Sequence, residues 1–190
     1  MRKTRVALAL LVMGMATGFL VSPWKTKPVM AGDDNGGKIA IRDDCDPTDP
    51  GWAPTGGCTL KDGDVGTAEF FAELTSVPAS GQLVGHQAWR NDPSYLKIET
   101  DDSVRVRNRG GRVHTFTEVG AFGGGRVAIL NQGQTLAPGC ESATDLPPGA
   151  GVTLRGFTPG NHKFQCCIHP WMRAIVKVKA EEDDEDNDDH

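Results

Sequence analysis

Cysteine, basic charge and helical periodicity are all scarce in this chain, and each scarcity excludes a class of protein. Five cysteines in 190 residues are too few for a disulfide-dense scaffold, and their odd number means that at least one does something other than pair. Residues 32–180 carry 15 basic and 17 acidic groups, so the body of the chain offers no electropositive footprint for nucleic acid. No stretch of useful length repeats its apolar residues at helical spacing, and no repeat of fixed period is visible, which argues against bundles and solenoids. A length of 190 residues supports one ordinary domain and excludes a large multidomain enzyme. What the chain has in quantity is glycine (24) and proline (12), together close to a fifth of all positions, the mark of a turn-rich fold.

The two ends read as something other than the domain. Arg2, Lys3 and Arg5 precede an apolar run from Val6 to Val21, and Val29-Met30-Ala31 stands before Gly32, the layout of a secretory signal over residues 1–31. An uncleaved N-terminal anchor is the alternative, and both readings place the remainder outside the cytoplasmic membrane, periplasmic or secreted, where disulfides persist. Residues 181–190 hold eight acidic groups and no apolar one, so they are expected to be a disordered acidic tail. Residues 32–66, rich in Asp, Gly and Pro, read as an irregular extension. A disulfide from Cys45 to Cys58 would close it and stabilise by ~3 kcal/mol; a metal-binding cysteine pair is the alternative.

Residues 67–180 have a different texture. Ala68 to Leu74 is ambiguous between strand and helix. Tyr95 to Glu99, Val104 to Arg107, Val113 to Thr117, Val127 to Leu130, Val152 to Phe157, Lys163 to Ile168 and Ala174 to Val178 are short, β-branched or alternating runs. Gly123-Gly124-Gly125, Pro147-Pro148-Gly149 and Pro159-Gly160-Asn161 are among the turns that separate them. Many short strands with turn punctuation predict an all-β antiparallel sandwich or barrel.

The segment Phe164-Gln165-Cys166-Cys167-Ile168-His169-Pro170-Trp171-Met172 presents a thiol, an imidazole three residues on and a thioether three further. Sulfur with imidazole suits copper, and two His, one Cys and a long axial Met form the donor set of an electron-transfer copper centre; zinc also accepts two His and a Cys. His114, on a strand some fifty residues upstream, is the candidate for the second imidazole. Adjacent strand residues face opposite sides, so Cys166 and Cys167 cannot both face one ion. Cys166 leaves two residues before His169 and is the expected ligand. Cys167 is then free to pair with Cys140, or both remain reduced and buried. His86 and His162 read as structural, His162 as exposed.

These residues resemble the cupredoxins, the plastocyanin and azurin family of small blue-copper proteins. Phe164-x-Cys166-x-x-His169-Pro170-x-Met172-Arg173 is similar to the short ligand loop of amicyanin, and Asn108 through His114-Thr115-Phe116 to the strand supplying the family's first His. The likeness spans about residues 80–179. It implies a Greek-key β-sandwich of about eight strands holding one type 1 copper ion through His114, Cys166, His169 and Met172. The implied role is one-electron transfer, with a monomer docking redox partners where the His169 edge emerges in an apolar patch near Trp171, Pro170 and Phe122. Extracytoplasmic copper storage or delivery is the alternative. Five histidines fall short of the clusters that catalytic copper centres need, so no enzyme is expected. Thr115 stands where the family often has Asn tying the two ligand segments together.

Overall fold

The alternation Val104-Arg105-Val106-Arg107 buries both valines and exposes both arginines, as a strand with one solvated face should. This β4 (Val104–Asn108) is one of eight strands that the computed structural model shows among its described residues, 36–76 and 83–180. The others are β1 (Gly37–Arg42), β2 (Arg90–Asp92), β3 (Tyr95–Glu99), β5 (Thr117–Glu118), β6 (Gly151–Leu154), β7 (Gly160–Gln165) and β8 (Arg173–Lys179). They form two four-stranded sheets, ordered β2-β1-β4-β6 and β3-β8-β7-β5. Ile39, Ile41, Val104 and Val106 from the first sheet share one core with Ile98, Phe164, Ala174, Val176 and Val178 from the second, giving the expected β-sandwich. Each of the larger side chains contributes ~1.5–3 kcal/mol by leaving water.

Three features depart from the sequence expectations. The supposedly irregular stretch 32–66 supplies β1, which lies between β2 and β4 with Ile39 and Ile41 at 2% and 0% exposure. Its Lys38-Ile39-Ala40-Ile41-Arg42 pattern is itself strand-like, obscured by the aspartates and prolines that follow. Second, both sheets are mixed: β1 runs parallel to β4 and β3 parallel to β8. Parallel neighbours need a crossover, and here the chain makes it through the opposite sheet: β3 lies between β1 and β4 in sequence. Third, Ala128–Leu130 forms a turn of 3-10 helix instead of a strand, and only Thr117–Glu118 and an isolated bridge from His114 to Leu146 remain of the expected Val113–Thr117 strand.

The ambiguous stretch is a helix, α1 (Thr67–Thr75), whose Phe70 is buried and whose Phe71 is 46% exposed. Asp49 ties its first residue down, accepting from the Thr67 backbone N–H (2.5 Å) and hydroxyl (2.8 Å). Both anticipated disulfides are present, Cys45–Cys58 and Cys140–Cys167, leaving Cys166 as the free cysteine among the described residues. The expected signal segment and acidic tail lie outside the described residues. No helix among the described residues is long and apolar enough to cross a membrane.

Candidate metal centre

At the end of β7 the chain leaves the sheet after Gln165, turns through Cys166 to Met172 and re-enters as β8 at Arg173. Two backbone bonds close this loop. Cys166 N–H donates to the Met172 carbonyl and Met172 N–H to the His169 carbonyl, each at 3.0 Å. Pro170 stiffens it further by fixing φ after His169. On the facing segment His114 sits between β4 and β5, its backbone paired with Leu146 in both directions. Asn108 shapes the approach: its side-chain amide donates to the carbonyls of Arg112 and Leu146, and its Oδ1 accepts from Gly110.

These segments bring His114, Cys166 and His169 together, with one donor atom of each lying within 4.8 Å of the others. The Cys166 Sγ is 3.8 Å from His114 Nδ1 and 3.7 Å from His169 Nδ1. All three side chains are buried, and Met172, in the same loop, is 1% exposed. The thiol also accepts backbone N–H groups from Thr115 (3.3 Å) and His169 (3.4 Å). Burial alone would raise its pKa, but the two imidazoles pull it well below the ordinary thiol range. A buried sulfur beside two Nδ1 atoms, with its neighbour Cys167 removed by the disulfide, fits a thiophilic, imidazole-binding ion such as copper.

The imidazoles differ in their surroundings. His114 Nε2 is 2.7 Å from Asp43 Oδ2, with both side chains at 0% exposure. Burial works against the charged form of His114, yet its bonds to Asp43 and Cys166 push the pKa up to about 9. Burial likewise opposes ionisation of Asp43, but the His114 ring and the N–H groups of Gly111 and Arg112 outweigh it and lower its pKa. His169 has no such carboxylate, and burial keeps it below the ordinary imidazole range against the pull of Cys166.

The two segments are stitched together by Thr115. Its hydroxyl accepts the Cys167 N–H at 2.7 Å while its own N–H points at Cys166 Sγ, so it links the two segments.

No family profile and no curated protein matches the sequence. Among solved structures, a chain described as a novel purple cupredoxin from Nitrosopumilus maritimus is similar over 75% of this chain and 99% of its own, at 14% identity and a TM-score of 0.43. A reduced amicyanin carrying a proline-to-phenylalanine substitution is similar over 46% of this chain and 71% of its own, at 19% identity and a TM-score of 0.32. An oxidised amicyanin carrying a methionine-to-leucine substitution aligns over 45% and 70%, at 20% identity and a TM-score of 0.33.

One expectation about this site is corrected. The apolar surround of His169 differs from expectation in its members: the ring, 6% exposed, packs against Phe70 of α1 (ring centroids 6.4 Å) and Trp171 (5.6 Å). Phe122 belongs to a separate cluster with Val119, Ala137 and the Cys140–Cys167 bridge, under the Arg173 guanidinium. Of the other histidines, His86 is buried with Nε2 3.2 Å from Glu73 and 3.5 Å from Glu69, both on α1. His162 is half-buried, held by Glu118 (2.6 Å) and the Thr158 carbonyl (2.8 Å).

Sequence reasoning missed Asp43 and Phe70. Nothing in the run Asp43-Asp44-Cys45-Asp46 distinguishes the one carboxylate that is buried. The strand pattern just before it was the available signal, because a residue following a central strand is delivered to the sandwich end.

Proposed function

We propose that this protein is an extracytoplasmic electron carrier holding one copper ion through His114, Cys166 and His169, with Met172 as the weak axial donor. The observation that supports it is the buried, unpaired Cys166 sulfur, less than 4 Å from both imidazole Nδ1 atoms. Copper(II) and copper(I) favour different geometries. Ligands pinned by the Cys166–Met172 bonds, by Thr115 and by the disulfide at Cys167 limit the rearrangement between them. The bound ion would gain and lose single electrons; the chain's part is to hold its donors still and exclude water.

Partner proteins are proposed to dock near His169 and Trp171, where Phe70 of α1 also packs beside the imidazole. Two disulfides suit an oxidising compartment. Solution voltammetry of protein loaded with one equivalent of copper tests the reading. A reversible one-electron wave with the metal retained through repeated cycles is expected; irreversible release of copper on reduction would mean storage or delivery instead.

A further inference from the structure

His114 and His169 present the same atom to Cys166, yet only one of them is gripped from behind. His114 Nδ1 faces the sulfur, while its Nε2 lies 2.7 Å from Asp43 Oδ2, and because an ionised carboxylate only accepts, Nε2 donates to it. His169 Nε2 has no hydrogen-bond partner among the described residues. Asp43 is held as firmly as it holds: Oδ1 accepts the Gly111 N–H at 2.9 Å and Oδ2 the Arg112 N–H at 3.0 Å. It follows β1 directly and precedes Cys45, whose disulfide fixes the backbone two residues on. The space is made for it too, since a Cβ at Gly110 would lie 2.0 Å from Asp43 Oδ2.

The nearby Arg112 guanidinium does not neutralise this carboxylate by pairing. It turns away to the carbonyls of Thr55, Gly57 and Trp52 and lies over the Trp52 ring. Asp43 therefore puts a fixed negative charge against one fully buried imidazole.

We propose that Asp43 is a positioning residue that aims His114 Nδ1 at the metal and biases the site toward copper(II). A carboxylate accepting from the far ring nitrogen fixes the tautomer and makes the near nitrogen a stronger donor. Its charge, poorly screened at 0% exposure, also favours the more positive oxidation state. The segment directly following β1 thus serves the proposed metal centre.

The inference rests on the copper reading above, and two measurements separate their fates. In the copper(II) protein, electron spin echo should resolve two unlike remote imidazole nitrogens, one altered by a carboxylate hydrogen bond; two alike would overturn the role of Asp43. The Asp43→Asn variant should keep its visible charge-transfer band while its copper(II)-to-copper(I) affinity ratio falls about tenfold, a rise of about 59 mV for a one-electron couple. An intact band with an unchanged potential would overturn the inference alone. A wild-type protein with no thiolate-to-copper band would overturn the copper reading, and this inference with it. Should the variant not fold, the wild-type spin-echo result decides.

Discussion

Thr115 ties the two ligand-bearing segments with a hydroxyl and its backbone N–H, because residue 115 lies directly against the Cys166–Cys167 peptide. Residue chemistry here is set by which neighbour a short side chain reaches. The same holds for Met172, placed by backbone bonds to His169 and Cys166. Met172→Leu should retain copper and the visible band while the potential rises, since losing the axial thioether leaves copper(II) less stabilised; loss of copper would assign Met172 a stronger bond. Farther away, His162 donates from both ring nitrogens, and although burial opposes it, Thr158 and Glu118 raise its pKa. A raised folded-state pKa gives stability that is complete below the unfolded value and lost as pH climbs through the folded one. His162→Gln should therefore lower the unfolding free energy measured in urea near pH 5–6, by less than about 1 kcal/mol, and the penalty should shrink as pH climbs through the raised folded-state pKa. A penalty that grows with pH would contradict the pairing.

Among the elements, α1 changes the site most. Its Phe70 packs against Trp52 (5.3 Å), Trp89 (4.7 Å) and Trp171 (5.9 Å) as well as His169. Phe70→Ala should cost about 3–5 kcal/mol and open the His169 side of the metal. Azide should then perturb the visible spectrum of the copper-loaded variant and leave the wild type unchanged; equal responses would mean that α1 does not shield the ion. The Cys140–Cys167 bridge acts behind the loop. Replacing both cysteines by Ala should destabilise by about 3–4 kcal/mol without altering the band, because the bridge closes a loop of 27 positions and neither sulfur is among the proposed ligands. The ligand loop was legible because local spacing alone defines it: Cys166, His169 and Met172 lie within a single short segment. The helix was not, since Ala68 to Leu74 is too short for its period to stand out. Its amphipathic face matters only through tertiary contacts with Trp89 and Trp171.

For the whole molecule, the sandwich and its free cysteine could be read from strand texture and cysteine arithmetic, while the contribution of residues 37–66 could not. That segment is not an appendage: β1 fills the middle of one sheet, Asp43 grips His114 and Cys45–Cys58 anchors both. Long-range pairing such as β1 with β4, more than sixty positions apart, leaves no local trace, and Asp-rich composition masked the short alternation that announced it. We propose that these parts converge on one copper ion bound through the buried Cys166 sulfur. The most direct measurement is the visible and electron paramagnetic resonance spectrum of the copper(II)-loaded protein beside its Cys166→Ser variant. Wild type should show an intense thiolate-to-copper band and a single copper signal of narrow hyperfine splitting, both lost in the variant; a colourless wild type, or a band that survives Cys166→Ser, would contradict the account.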